Sequence, residues 1–599
     1  MTSKEYSIDA LSGAFCQSLI NSNNLVVILG SYISTWSPTN LLSGQQFTQQ
    51  LFNLIFKNEK GEYYEQTIND SLIQSIFKKL PFEVINSKCP NQRSIYKILQ
   101  GCFNPRKPNE VHKLFADLII SGKIKAIITT NYDRCLEIAI KKRIRSLGRT
   151  NKKKIDVVVR EGDFIENKRT NNPVVFKIHG SIEQEETLVF HLDQEGQLEP
   201  WKRTLLHQLI HNSQILIIGY SGLDFDICRE ISVSKPRKVI WNFFDPGDVT
   251  VNSKVLEKNI DIVKIYGDMA KLLTKTFSPI KLNSSPDKKD YLSILRSFFS
   301  TDEIILWQAR LLNALSYSKV SIELSKKWMK KFTSPDLAIE LMSELAGGLA
   351  PNGKYFDAGK THLKAAKFAK QHNLDSQNYF RQICCASDAF RGSGNYILSI
   401  LLHRKMVNFA VGQKKNKNQM EISILRNKIL LKQIAFRFLK RLKLLKLLNN
   451  IQISITNHIN DILPLLLKSG DYYSFQQIQL WASRFDISPS SIDSMVNAQT
   501  LQPEDGYEQL YFQLGIIMDF RFRVTRKKDP QIEDYLQIRE YIIDAKNFGI
   551  KPEIWKLLRL IHDRFPDEFT QDDKNEFWSA FFECQYSLLQ RIQNLVFGH

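Results

Sequence analysis

The sequence predicts an α/β domain with a Rossmann-like parallel sheet, followed by an all-α C-terminal domain that is either a helical bundle or a solenoid-like stack. Three observations carry this expectation. In the first part of the chain, short apolar runs rich in Val and Ile alternate with segments of helical apolar spacing. Several of those runs break at their carboxyl ends into Gly, Ser, Asn, Asp or His, as buried parallel strands do where they open onto a ligand. Beyond residue 290 the strand signals fade and long amphipathic segments follow.

Leu25–Leu29 is the first expected strand. Phe47, Leu51, Leu54 and Ile55 then recur at helical spacing, as do Val111, Leu114, Phe115, Leu118 and Ile119. Gly122 marks the end of that second helix, before the strand Ala126–Ile128. Further strands are expected at Val157–Val159, Val174–Ile178, Ile215–Ile218, Val239–Phe243 and Ile260–Ile265. The Pro- and Ser-rich stretch at 278–290 reads as a linker, dividing residues 1–277 from a helical region at 291–599 with a break near 450–470. Helices are expected at Ile304–Leu315, Leu337–Leu349, Phe356–His372, Tyr379–Phe390, Ile422–Leu448, Phe475–Phe485, Glu508–Phe520, Ile532–Phe548 and Glu576–Val596. Alternating small and large residues at 358–392 have the look of paired-helix packing, although no clean repeat period extends from them.

At 599 residues the chain has room for two or three domains, and 43% hydrophobic with 24% charged residues marks it as globular. No apolar run reaches the length of a membrane span, and residues 1–10 carry no signal-peptide pattern, so a cytoplasmic location is expected. The eight cysteines form no CxxC pair, which is the pattern of reduced, buried thiols and removes the usual structural zinc signature. The net charge of +20 concentrates in two blocks, 141–154 and 404–446, the second with thirteen Lys or Arg against one acid. Such blocks suit nucleic acid or acidic protein surfaces, and equally a solvated helix face or surface loop.

Four strand ends hold the chemistry-bearing residues. Gly30 and Ser34 follow the first strand, and a glycine there permits a tight turn and close approach to a phosphate. Thr129, Thr130, Asn131, Tyr132 and Asp133 follow the strand at 126, where an Asx turn or helix cap is the plainer alternative. His179 follows the run from Val174 and precedes Gly180; a lone histidine there is more often a structural one, although an imidazole titrates near working pH. Gly219, Tyr220 and Ser221 end the strand at 215, with Asp224 close behind, and Asn242 lies in the strand at 239.

Taken in order, these segments resemble the sirtuin (silent information regulator) family. Gly30, Ser34 and Pro38 match its glycine loop, with Tyr32 where the family has a second glycine. Thr129–Asp133 resembles its Thr-Gln-Asn-Ile-Asp signature in a form typical of bacterial sirtuin-like domains outside the deacylase branch, and the preceding Pro108–His112 is a further feature of that branch. Lys177–Ser181 resembles its Lys-Leu-His-Gly-Ser. The resemblance implies that NAD is the substrate, with no metal, and that Asn131, His179 and Asp133 are catalytic. It implies that Gly30, Ser34, Thr129, Gly219, Ser221, Asp224 and Asn242 contact NAD.

By the same resemblance, the expected activity is hydrolysis of NAD to ADP-ribose and nicotinamide. The expected setting is antiviral defence by abortive infection, with the enzyme silent until a phage protein or companion defence protein triggers it and with a homo-oligomer as the switch. A catalytically silent NAD- or ADP-ribose-binding module is the alternative. Protein deacylation fits less well, because the zinc-binding cysteine pairs are missing.

Overall fold

The computed structural model describes residues 4–21, 24–57, 82–103, 107–148, 154–190, 198–222, 227–249, 256, 260–280, 282, 290–314, 318–350 and 354–411, with short pieces beyond, the longest 565–583. The chain divides into two compact units, Met1–Ser300 and Thr301–His599.

The first unit is built on one eight-stranded sheet. Its strands are β1 (Lys4–Ser7), β2 (Leu25–Leu29), β3 (Ala126–Thr129), β4 (Asp156–Val158), β5 (Val174–Lys177), β6 (Gln214–Ile218), β7 (Lys238–Phe243) and β8 (Ile262–Tyr266). They lie in the order β1-β8-β7-β6-β2-β3-β5-β4, and every pairing is parallel. The expected strands are all present. β1 is an addition at the sheet edge, and its largely exposed residues carry no apolar alternation that would announce it.

The inner strands are apolar on both faces, which is why they read as continuous runs. Val27, Leu29, Ile127, Val175, Leu216 and Ile218 enter one core. Val26, Ile28, Ile128, Phe176, Ile215 and Ile217 enter the other. Each such side chain contributes roughly 1.5–3 kcal/mol on leaving water. Helices cover both faces and are stopped by local chemistry. Gly122 ends the helix Glu110–Ser121 at φ 80°, where its N–H reaches the Leu118 and Ile119 carbonyls.

The expected linker at 278–290 stops short of the divide between the units. The helix Tyr291–Arg296 stays with the first unit: the Tyr291 hydroxyl donates to the Asn40 carbonyl and the Arg296 guanidinium to that of Lys57.

The chain builds β3, β4 and β5 on one side of β2, then crosses to build β6, β7 and β8 on the other. The sheet therefore has a topological switch point between β2 and β6, and open α/β sheets bind ligands at the carboxyl ends of strands there. The two strands come very close at that end. The Gly30 N–H donates to the Ile218 carbonyl at 3.0 Å, and the Tyr32 N–H to that of Gly219 at 3.2 Å. A Cβ on Gly30 would lie 2.2 Å from the Gly219 carbonyl oxygen, so only glycine fits.

The second unit is helical over its described residues. Thr301–Ala314, Ser318–Trp328, Pro335–Leu349, Tyr355–Gln371, Ser376–Gly392 and Tyr396–Val411 each pack on the next, and the first also packs on the third. Such near-neighbour packing is that of a solenoid-like stack. The small residues at 358–392 lie where two helices close up: Gly359 faces the Phe390 ring, at a distance where a Cβ would sit 2.9 Å from it. Ser318–Trp328 and Tyr396–Val411 were not among the expected helices. The expected helices between 422 and 548 lie almost wholly outside the described residues, as does most of the basic block 404–446.

The Gly30 contact yields a stability prediction. Gly30→Ala is expected to lower the unfolding free energy by at least ~1–3 kcal/mol through backbone overpacking. Gly13→Ala, at a helix start with nothing within 4 Å of its added Cβ, is expected to be neutral or mildly stabilising. Denaturant titration of both variants checks the pair.

Candidate active site

The site begins where β2, β3 and β5 end side by side. Leu29 pairs with Thr129, and Thr129 with Lys177. Asn131 and His179 each lie two residues past that aligned pair, so the register alone sets them on neighbouring strand ends. Both are buried, as are Ser34 and Asp133.

Thr129 fastens the turn. Its hydroxyl donates to the Leu29 carbonyl at 3.0 Å and accepts the Asn131 N–H at 3.1 Å. Asp133 uses Oδ1 to accept the Cys135 N–H at 2.8 Å, at the start of the helix Cys135–Ser146. Its other oxygen, Oδ2, accepts from the Ser34 hydroxyl at 2.8 Å. The Asn131 amide donates to the same hydroxyl at 3.2 Å. Ser34, Asn131 and Asp133 thus form one hydrogen-bonded group.

Two side chains outside the expected site set complete it. His112 Nε2 lies 3.2 Å from Ser34 Oγ, while its Nδ1 accepts the Asn109 N–H at 3.3 Å. The second is Lys177, whose side chain is 0% exposed. Its ammonium donates to the carbonyls of Tyr132 and Asp133 and pairs with Glu137 Oε1 at 2.9 Å. Both residues stood in motifs visible in the sequence, but only the fold shows them reaching the Asn131–Asp133 turn.

Burial lowers the His112 pKa to about 4, against an opposing pull from Asp133. The neutral ring agrees with its hydrogen bonds, since Nδ1 must be bare to accept the Asn109 N–H. His112, Asp133 and Cys135 each have a donor atom within 4.8 Å of the others. Their arrangement suits a metal poorly: with Nδ1 accepting a backbone N–H, coordination through Nε2 would require an imidazolate.

The remaining expected residues occupy varied places. After Gly30 comes a 3-10 turn at Ser31–Ser34 rather than the N-terminus of a long helix. Tyr32 is 38% exposed, packs edge-on to Trp36, and has its hydroxyl pKa raised by burial and by the charge of Asp268. Gly219 turns at φ 64°, and Ser221 beyond it is exposed. The Asn242 amide nitrogen is committed to the carbonyls of Phe243, Ile265 and Gly267, so it ties β7 to β8. Asp224 lies outside the described residues.

Two predictions follow from the buried groups. Lys177→Met leaves Glu137, whose side chain is only 13% exposed, without its cation and is expected to cost about 3 kcal/mol of stability. Adding Glu137→Gln should recover part of that loss in denaturant titrations. For His112, the unfolded chain takes up a proton as pH falls below 6.5, while the folded chain resists protonation down to about 4. Its contribution is therefore fully present above 6.5 and is lost as pH falls toward 4, by roughly 3 kcal/mol in all. His112→Phe should flatten the stability profile across that window.

Comparison with known proteins adds to this geometry. Residues 125–237 match the family model described as a SIR2-like domain. No curated protein matches the chain. Among solved structures, the Rap conjugation gene regulator of the plasmid pLS20 aligns at a TM-score of 0.33 and 10% identity, covering 59% of this chain and 87% of that one, a likeness too low to carry an argument. The matched span holds Asn131, Asp133, Lys177, His179 and Gly219 on the strands described above, and the α/β unit of this chain carries a sirtuin-like domain.

Proposed function

We propose that the α/β unit binds NAD at the switch point and hydrolyses its nicotinamide–ribose bond. One observation carries the reading: Ser34, Asn131 and Asp133 form a single buried hydrogen-bonded group, with His179 on the adjoining strand end. The match to a SIR2-like domain supports an NAD-related role for that group.

In this reading the bond from C1′ to the nicotinamide nitrogen breaks, and its electron pair leaves with nicotinamide. A water oxygen bonds to C1′ and its proton passes through a base to solvent. Asn131 holds the ribose and water, Asp133 organises the same site through Ser34, and His179 acts as the base. Gly30, Ser34, Thr129, Gly219, Ser221 and Asn242 shape the NAD cleft, with Thr129 and Asn242 doing so through the backbone they tie. Hydrolysis is favoured over deacylation because the chain has no paired CxxC cysteines for a zinc lobe.

Control belongs to the reading too. Unregulated NAD hydrolysis would harm the host cell, so the enzyme rests inactive until a phage protein or companion defence protein engages it. The helical unit is the candidate platform for that trigger and for homo-oligomer assembly. The basic block at 141–154 offers Lys141, Lys142 and Arg145 at the surface for an acidic partner or nucleic acid. Among the described residues, no helix is long and apolar enough to cross a membrane.

A silent nucleotide-binding module is the second reading. The short 3-10 turn bearing Tyr32, in place of a glycine-rich phosphate loop, favours it.

NAD consumption by the purified full chain, with and without lysate of infected cells, separates the two readings. The hydrolase reading expects triggered turnover that falls by roughly a hundredfold or more in His179→Ala and Asn131→Ala. Turnover surviving in both variants rejects the residue roles. Saturable NAD or ADP-ribose binding without turnover under any condition selects the silent module.

A further inference from the structure

We propose that the exposed face of the helix Tyr355–Gln371, in the helical unit, is a docking surface for single-stranded nucleic acid. The proposal lies outside the NAD-hydrolase reading and does not depend on it.

The helix sorts its residues by size and charge. Ala358, Gly359, Ala365, Ala366 and Ala369 are buried, where the helix packs on Pro335–Leu349 and Ser376–Gly392. Phe356, Lys360, Lys364, Lys367 and Lys370 are exposed. Steps of three and four residues keep those five on one side of the helix. At 1.5 Å per residue their row is about 21 Å long.

Neighbouring acids do not balance this row. Residues 318–371 hold ten Lys and no Arg against five acids. Two of the five, Glu340 and Glu344, are turned to Arg310 on Thr301–Ala314, with Glu344 Oε1 3.7 Å from the Arg310 Nε. Asp357 pairs with Lys360 at 2.8 Å. Lys364, Lys367 and Lys370 have no ion-pair partner among the described residues, and neither do the exposed Lys319 and Lys326 of Ser318–Trp328. Like charges three and four residues apart weaken a helix. A polyanion laid along the row would turn that repulsion into attraction, with release of its own counterions.

The ring at the head of the row selects among polyanions. Phe356 is 44% exposed. It is held in place by Phe390, edge-on at 5.5 Å between ring centroids, and Lys360 Nζ stands 5.0 Å from its centroid. An unpaired base can stack on such a ring while its backbone phosphates follow the lysines, a combination that tolerates any sequence. In a duplex the bases are already stacked on one another, and an acidic protein surface offers carboxylates without bases.

The test uses the full-length chain and a fluorescent oligothymidylate, with anisotropy read over a series of salt concentrations. Four phosphates neutralised by Lys360, Lys364, Lys367 and Lys370 should give log K against log [salt] a slope of about −3 or steeper. Combined Lys364→Gln, Lys367→Gln and Lys370→Gln should weaken binding and make the slope shallower by about 2. Glutamine keeps a similar helix propensity, so this variant should fold, which its circular dichroism checks. Phe356→Ala should lose roughly five- to a hundredfold in affinity for the single strand with its slope unchanged, because stacking releases no counterions. A duplex of the same length should bind less tightly and be indifferent to Phe356→Ala.

Absence of saturable binding by the unmodified chain overturns the proposal. So does a loss of affinity that follows Lys141→Gln, Lys142→Gln and Arg145→Gln instead of the helix variant, which would place the surface on the α/β unit. Equal binding of duplex, or no effect of Phe356→Ala, overturns the single-strand assignment. Polyglutamate competing as well as the oligonucleotide would replace nucleic acid with an acidic protein as the partner.

Discussion

A fully buried ammonium group holds the candidate site together. Lys177 ends β5 inside the protein, where an unpaired charge would be severely penalised. It is accommodated because three acceptors converge on it: Glu137 and the carbonyls of Tyr132 and Asp133. Those carbonyls belong to the turn that carries Asn131 and Asp133, so the same bonds that stabilise the cation fix the turn. The turn is in turn fastened to β2 by Thr129 and to the following helix by the Asp133 carboxylate, which accepts the Cys135 N–H. The buried charge thus links β5, the turn after β3 and the helix Cys135–Ser146 into one rigid corner.

On this corner the polar groups order one another. Asn109 caps the helix Glu110–Ser121 and, through the same turn, dictates the tautomer of His112. His112 meets Ser34, and Ser34 joins Asp133 to Asn131. The chain of contacts begins as ordinary helix capping and ends at a carbonyl oxygen that the protein leaves unsatisfied. Low polarity around the network makes each bond stronger and each missing partner more costly, so its members specify a single arrangement.

Much of this was legible in the sequence. The inner strands were visible because both of their faces are apolar, and the site positions because polar residues interrupt those runs at one end only. The matched SIR2-like span, 125–237, begins where the strand of the Asn131 signature begins, and Gly30 and Ser34 lie outside it, so their assignment rests on the resemblance of the segment from Gly30 to Pro38 to the sirtuin glycine loop. What could not be read was side-chain reach. Lys177 looked like the end of an apolar strand, and nothing in its neighbours says that its ammonium turns inward. His112 stood on an apolar helix face, where a packed structural histidine is the ordinary outcome. β1 was invisible because an exposed edge strand is held by its pairing with β8 rather than by its own side chains.

The first glycine loop shows how a motif position can be filled for a different reason from the one its sequence suggests. Gly30 was expected to admit a phosphate. In the fold its missing Cβ first admits the backbone of Gly219, whose carbonyl oxygen would stand 2.2 Å from an added Cβ. The demand for glycine thus arises from the closeness of β2 to β6 at the switch point, and it holds with or without a ligand. At the second position the constraint differs. The Tyr32 N–H still reaches the Gly219 carbonyl, but its ring is partly exposed beside Trp36 and under the influence of Asp268. Backbone geometry here is compatible with a large side chain as long as that side chain leaves the crowded strand ends. A glycine is needed where two backbones touch, and a tyrosine is tolerated two residues later because its ring has somewhere else to go.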